Sequence, residues 1–101
     1  MRLLTDEEID RQLEALAGWS RAGDAVRATY HAPTFAKGIE LVRLVAEDAD
    51  QMNHHPDIEI SYTTIRWTLS THSEGGITQL DIELAHRISE AAQQTGAQVD
   101  R

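Results

Sequence analysis

The sequence predicts an α+β fold of one domain, residues 1–101, in which a four-stranded antiparallel sheet carries helices on one face. The predicted order is helix, strand, strand, helix, strand, strand, helix. Three segments repeat apolar residues every three or four positions, which is typical of amphipathic helices. Four shorter segments alternate apolar and polar residues and occur in two close pairs. Paired strands favour hairpins over strand–helix–strand units, so an antiparallel sheet is expected.

The first helix is predicted from about Asp6 to Ala17. It opens with Thr5-Asp6-Glu7-Glu8, a capping box in which Thr5 and Glu8 each accept a hydrogen bond from the other's backbone N–H. Gly18 is a natural stop for this helix.

A first hairpin is predicted over residues 19–31. Two short stretches of mixed polarity flank Ala22-Gly23-Asp24, whose composition is typical of a turn. Trp19 is expected to anchor the core rather than to stack on a ligand.

The second helix is predicted to begin after Pro33, with Thr34 as its N-cap, and to end near Pro56. Its apolar residues cover more surface than packing on one sheet requires, which leaves two interpretations. The helix is either deeply buried or packs partly on another subunit, and the second interpretation is preferred in so short a chain. One face is predicted to consist of Phe35, Ile39, Val42, Ala46 and Ala49.

The second hairpin is predicted from two alternating runs, one ending at Tyr62 and one starting at Ile65, with Thr63-Thr64 as the link. His72 follows the second run on the side opposite Trp67. We therefore expect His72 to lie off the core face, where it can serve a site.

The third helix is predicted to begin after Thr78, its N-cap, with Asp81 at the capping-box position. A role as an anion at the helix start explains Asp81 completely, and this role is preferred over a catalytic one. The tail after Gly96 is expected to be frayed.

Composition excludes several classes of function. A net charge of −8 argues against a nucleic-acid partner, because phosphate binding needs clustered Lys and Arg. The chain has no cysteine, so disulfides and thiolate metal sites are excluded. No apolar run is long enough to span a bilayer, so we expect a cytoplasmic protein with no membrane partner.

The histidines His54, His55 and His72 are the candidate chemical groups, and three interpretations remain open. They could be surface or capping residues, although two histidines beside a helix-breaking proline make this less convincing. With Asp50, four residues before His54, they could form an open zinc site, but no histidine pair has the usual i, i+4 spacing. They could act as general acids and bases, which titrate near neutral pH. The residues alone favour the third interpretation slightly over the second.

The spacing of these residues resembles the signature of the pterin-4a-carbinolamine dehydratase family. The resemblance covers the chain from about Thr5 to about Ala92. It rests on Asp50, His54-His55-Pro56, Tyr62, His72 and Asp81, and on the surrounding sequence segments NHHPDIEISY, TLSTH and GGIT.

This resemblance implies a dehydratase of tetrahydrobiopterin recycling, which removes water from a 4a-hydroxy-tetrahydropterin to give quinonoid dihydropterin. It implies no metal and no organic cofactor. His54 would be the main acid/base group, while His55 and His72 would bind the pterin and assist proton transfer. The implied substrate-binding residues are Asp50, which could orient His54, Pro56, and Ser70 and Thr71, whose backbone groups would meet the pyrimidine edge of the pterin.

The resemblance also implies a homodimer joined edge to edge by its sheets, or a homotetramer formed through the second helix. It allows an aromatic amino acid hydroxylase as a partner in the same pathway. One departure is Ile58, where animal members commonly carry tryptophan, which puts a stacking role there in doubt. A non-catalytic assembly, chaperone-like or regulatory protein on the same fold is the alternative, and the presence of all three histidines favours the enzyme.

Overall fold

The computed structural model describes residues 1–101 and confirms the α+β class. None of its helices combines the length and the apolarity needed to cross a membrane. A 3-10 helix, His72–Glu74, lies between the fourth strand and the third helix. The elements are α1 (Asp6–Leu13), β1 (Ser20–Ala22), β2 (Ala25–His31), α2 (Phe35–Met52), β3 (Asp57–Ser61), β4 (Thr64–Leu69), α3 (Gln79–Thr95) and β5 (Gln98–Val99).

The sheet is antiparallel throughout, with β4 and β2 at its centre and β3 at one edge, in the order β1-β2-β4-β3. In the central pair, Val26 faces Leu69, Ala28 faces Trp67 and Tyr30 faces Ile65. These six residues are all buried, and they share one core with residues of all three helices. The helices therefore cover one face, as predicted.

The sheet has five strands, not the four that the sequence predicts. The fifth, β5, pairs with Tyr30 and His31 of β2. Beyond it, the Asp100 N–H donates to the Thr29 carbonyl at 2.8 Å. The expectation of a frayed tail after Gly96 is thus wrong, because two strand residues are too few to show a period in the sequence.

The first helix keeps its predicted start but ends at Leu13, four residues earlier than expected. The capping box is present: Glu8 N–H donates to Thr5 Oγ1 and Thr5 N–H donates to Glu8 Oε1. After Leu13 the backbone bonds join residues three apart, as in Leu16 N–H to Leu13 O at 3.0 Å. This tighter winding replaces the last predicted turn of α-helix.

The core face of α2 differs from the predicted face. Its buried residues are Gly38, Leu41, Val45 and Ala49, whereas Phe35 and Ile39 are 49% and 43% exposed. A Cβ at Gly38 would lie 3.1 Å from the Ile65 side chain. The helix thus packs tightly against the sheet at a glycine, and a pattern of apolar side chains does not reveal such a contact.

Two further predictions concern the hairpins. Trp19 is buried, and its indole N–H donates to the Tyr30 hydroxyl at 3.0 Å, which confirms it as a core anchor. The turn of the second hairpin is formed by Tyr62 and Thr63 rather than by the predicted Thr63-Thr64. Tyr62 adopts a left-handed backbone, φ +52°, which ends β3 one residue early.

Candidate active site

The end of α2 places the two adjacent histidines in different surroundings. Asn53 adopts the left-handed conformation, φ 50° and ψ 44°, which asparagine tolerates better than most residues. The His54 N–H then bonds back to the Ala49 carbonyl at 3.0 Å, a typical helix ending. After this reversal His54 is 9% exposed, whereas His55 stays on the surface.

His54 is held by a buried carboxylate. Its Nε2 lies 2.6 Å from Oδ1 of Asp81, in the first turn of α3, and Asp81 is fully buried. The other oxygen, Oδ2, accepts from the Thr71 hydroxyl at 2.8 Å and from the Thr78 N–H at 3.0 Å. Hydrogen bonds from three donors offset the cost of removing this carboxylate from water.

This arrangement separates the roles of the two ring nitrogens of His54. Because a carboxylate only accepts hydrogen bonds, Nε2 carries the ring proton and donates a hydrogen bond to Asp81. Nδ1 has no partner within the chain and is not sealed from solvent. Nδ1 is therefore the atom that can accept a proton from a ligand, or return one.

The family comparison decides what kind of protein carries this site. The family model described as pterin 4 alpha carbinolamine dehydratase matches residues 2–91. The chain belongs to this family.

Relatives of this dehydratase family member span nearly its whole length. A Mycobacterium tuberculosis (strain ATCC 25618 / H37Rv) protein, provisionally named a pterin-4-alpha-carbinolamine dehydratase, is 51% identical over 88 residues, covering 87% of this chain and 94% of its own. A Mycobacterium avium (strain 104) protein with the same provisional name is 51% identical over 89 residues, covering 88% of this chain and 95% of its own.

Two solved structures are similar to it in fold. A Brucella melitensis transcriptional coactivator/pterin dehydratase has a TM-score of 0.88 at 31% identity, covering 90% of this chain and 99% of that one. A pterin dehydratase-like protein identified as a RuBisCO assembly factor in the alpha-carboxysome has a TM-score of 0.62, covering 73% of this chain and 86% of that one. At 15% identity the second likeness shows the fold alone.

In this member of the dehydratase family, Asp81 combines two functions where the sequence favoured one. It completes the capping box with Thr78, as predicted. It is also the partner of His54, and no spacing rule indicates this because the two residues are 27 positions apart in the chain. The one sequence signal for the second function was the place of Asp81 in the family signature.

Asp50 lies beside His55 rather than His54, so the prediction that it orients His54 is wrong. Its Oδ1 is 2.9 Å from the Nε2 of His55, and both side chains are largely exposed. The prediction assumed that helical geometry continues through His54, but α2 ends at Met52.

The structure places His72 in the exposed 3-10 turn, directly after the buried Thr71. Ser70 and Thr71 connect β4 to this turn. The Ser70 hydroxyl donates to the Asp24 carbonyl at 2.9 Å, and the Thr71 N–H donates to the Gly76 carbonyl at 2.8 Å. Pro56 is half-buried in the loop before β3.

The site as a whole joins the end of α2, the loop after β4 and the start of α3. Hydrogen bonds link His54, Asp81, Thr71 and Thr78, and Thr71 immediately precedes His72 in the chain. No three or more Asp, Glu or His side chains form a group that could hold a metal ion. The binding roles of Asp50, Pro56, Ser70 and Thr71 stay predictions.

Proposed function

We propose that this chain removes water from a 4a-hydroxy-tetrahydropterin, giving quinonoid dihydropterin in tetrahydrobiopterin recycling. Family membership supports the reaction class. The observation that carries the proposal is the 2.6 Å contact between His54 Nε2 and the buried Asp81 carboxylate. This contact leaves Nδ1 as a single, oriented acid/base atom, which is what general acid/base catalysis requires.

The proposed reaction needs two proton transfers. The bond between C4a and the hydroxyl oxygen breaks, and that oxygen leaves as water after it receives a proton. A neighbouring ring N–H gives its proton to a base, and its electron pair forms the new carbon–nitrogen double bond. No atom is oxidised or reduced overall, so histidines are sufficient and neither a metal nor an organic cofactor is proposed.

We assign the main acid/base role to Nδ1 of His54. Asp81 fixes the ring and stabilises the imidazolium that forms when Nδ1 accepts a proton, because the two opposite charges are in direct contact. His55 and His72 are both exposed and free to approach a ligand, so they are proposed to bind the pterin and assist the second transfer.

A stopped-flow absorbance measurement tests the reaction. Breakdown of 4a-hydroxy-tetrahydropterin is followed with and without catalytic amounts of the protein, each in the presence and absence of a chelator. The proposal predicts acceleration that the chelator does not change. Acceleration that the chelator abolishes would support a metal site instead, and no acceleration would contradict the proposal.

We further propose that the protein works as a homodimer or homotetramer. Four large apolar side chains remain 42–75% exposed, at the start of α2 and the end of β3. We call them the Phe35 patch: Phe35, Ile39, Ile60 and Tyr62. The outer edge of β3 also has no partner strand within the chain. Both features are suited to contact with a second copy.

A binding or assembly protein on the same fold is the second candidate. The Phe35 patch favours it, because exposed apolar surface is also suited to another protein. The solved structures include relatives named as a coactivator and as an assembly factor. A chain that forms a stable complex but does not accelerate the dehydration would fit this candidate.

The proposed setting is the cytoplasm, with an aromatic amino acid hydroxylase as the enzyme that supplies the substrate. Dehydration requires a freshly formed carbinolamine, which is the product of such a hydroxylase. The absence of cysteine is compatible with a reducing compartment. A coupled assay tests the link to the hydroxylase. Quinonoid dihydropterin that forms faster when this protein is added to the hydroxylase reaction would support the link, and an unchanged rate would contradict it.

A further inference from the structure

Thr71 contacts both the Asp81 carboxylate that holds His54 and the loop that carries His72, although its own side chain is neither an acid nor a base. It is 6% exposed. Its hydroxyl donates to Asp81 Oδ2 at 2.8 Å and lies 2.7 Å from the Thr78 hydroxyl.

The directions of these hydrogen bonds follow from counting protons. A hydroxyl donates one proton, and the proton of Thr71 goes to Asp81, which can only accept. In the 2.7 Å contact between the two hydroxyls, Thr78 is therefore the donor and Thr71 the acceptor. Thr78 Oγ1 in turn accepts a hydrogen bond from the Leu80 N–H at 3.3 Å. The Leu80 N–H, the Thr78 hydroxyl and the Thr71 hydroxyl thus donate in series, and the last hydrogen bond ends on the Asp81 carboxylate, which holds His54.

The carboxylate group can rotate about its bond to Cβ unless both oxygens are held. The Thr78 N–H and the Thr71 hydroxyl both bind Oδ2, so Oδ1 is left to accept from His54. The hydrogen bond from the Thr78 N–H belongs to the capping box of α3, so it does not depend on any role of Asp81 at His54. The Thr71 hydroxyl is the one contact to Asp81 that comes from the β4 side.

The backbone of Thr71 holds the loop that carries His72. Its N–H donates to the Gly76 carbonyl at 2.8 Å, and its carbonyl accepts from the Gly75 N–H at 3.0 Å. The side chain of this residue therefore restrains the partner of His54, while its backbone restrains His72.

We infer that Thr71 is a positioning residue, whose hydroxyl fixes the Asp81 carboxylate and through it the ring orientation and protonated nitrogen of His54. This inference rests on the proposed function where it concerns turnover, and on the hydrogen-bond geometry alone where it concerns the His54 ring. The sequence predicted a different contribution from Thr71, through its backbone to the pterin.

The test compares Thr71→Val, which keeps the shape but removes the hydroxyl, with Thr71→Ser, which keeps the hydroxyl. Thr68→Val on β4 is the matched control, because the Thr68 side chain makes no hydrogen bond and lies outside the site. Carbinolamine dehydration gives kcat and KM, and ¹⁵N spectra of the histidine rings show which nitrogen of His54 carries the proton. Thr71→Ala replaces the valine variant if the latter does not fold.

The inference predicts that Thr71→Val lowers kcat by about ten- to hundredfold, the range expected when a hydrogen bond to a charged group is lost. KM should stay within about threefold, since His55 and His72 are untouched. The ring nitrogen signals of His54 should shift, and Thr71→Ser should restore both the rate and the signals. Thr68→Val should match the wild-type protein.

An unchanged kcat in the folded Thr71→Val protein would overturn the inference, as would unchanged His54 ring signals. If the wild-type protein does not accelerate dehydration at all, the proposed function fails. The ring signals then decide the inference by themselves: a shift in Thr71→Val that Thr71→Ser reverses supports it, and no shift overturns it.

Discussion

At the residue scale, burial distinguishes the two histidine–aspartate pairs of the candidate site. His54 and Asp81 have side chains that are 9% and 0% exposed, whereas those of His55 and Asp50 are 58% and 79% exposed. Water screens the exposed pair, so it contributes little and leaves His55 free to turn toward a ligand. The buried pair has one available geometry, which suits a group that must present Nδ1 in a fixed direction.

Replacing Asp81 with asparagine tests the importance of that geometry. The Thr78 N–H still requires an acceptor, so the amide oxygen should take its place and the amide NH₂ should face His54. Nε2 would then have to accept a hydrogen bond, and the proton would move to Nδ1. We expect Asp81→Asn to lower kcat by about 100-fold or more, as wrong-tautomer variants of catalytic histidines do, with little change in KM.

The control for Asp81→Asn is Glu8→Gln, because Glu8 occupies the same capping-box position in α1, away from the histidines. Both variants weaken a helix start, but Glu8→Gln should leave turnover unchanged. Equal losses of activity in the two variants would assign the effect of Asp81 to helix stability and contradict its role at His54.

At the element scale, helix ends position the site, and some of these ends are readable from the sequence. The two capping boxes involve residues three apart, so Thr5 with Glu8 and Thr78 with Asp81 were both predicted and are both present. The core face of α2 was not predicted correctly, because one of its tight contacts with the sheet is at Gly38, which has no side chain to count.

The first capping box should make the free energy of unfolding depend on pH in the acid range. A side-chain hydrogen bond from Arg2, followed by one from the Thr5 N–H, lowers the pKa of Glu8 from 4.5 to about 2. The folded protein therefore releases this proton more readily than the unfolded chain. The stabilisation is complete above about pH 4.5 and is lost as the pH falls through about 2.

Urea unfolding of the wild-type protein and Glu8→Gln checks this dependence. The variant should be less stable at pH 6. The difference should shrink steadily as the pH falls from about 4.5 to about 2, because Glu8 is protonated in the unfolded chain before it is protonated in the folded protein. Glu7→Gln is the control, since Glu7 shares the first turn but forms no side-chain hydrogen bond. A difference between wild type and Glu8→Gln that persists unchanged at pH 2 would refute the assignment.

At the scale of the whole molecule, the fold brings together groups that are far apart in the chain. The three histidines were identifiable from the sequence because His54, His55 and His72 stand in two short stretches beside a proline and a strand end. The partner of His54 was not identifiable, since Asp81 lies 27 positions later in the chain, beyond the whole second hairpin. Spacing rules describe one helix or strand at a time, whereas this contact depends on how α2, β4 and α3 pack.

The Phe35 patch gives a prediction about assembly. Phe35 and Tyr62 stack with ring centroids 6.4 Å apart, although both are largely exposed. If a second copy covers this patch, a charge in it should weaken association. Light scattering after gel filtration should show a homodimer or homotetramer for the wild-type protein and a smaller species for Phe35→Glu. Ala15→Glu, an exposed change outside the patch, should keep the wild-type mass, and equal masses for all three proteins would contradict the assignment.

The central claim is that Nδ1 of His54 transfers the proton during dehydration. The most direct test is stopped-flow turnover of 4a-hydroxy-tetrahydropterin by His54→Ala and the wild-type protein at equal concentration, with circular dichroism to verify the fold. The loss of a general acid/base group predicts a rate lower by about 100-fold or more. Unchanged turnover in a folded His54→Ala protein would contradict the claim.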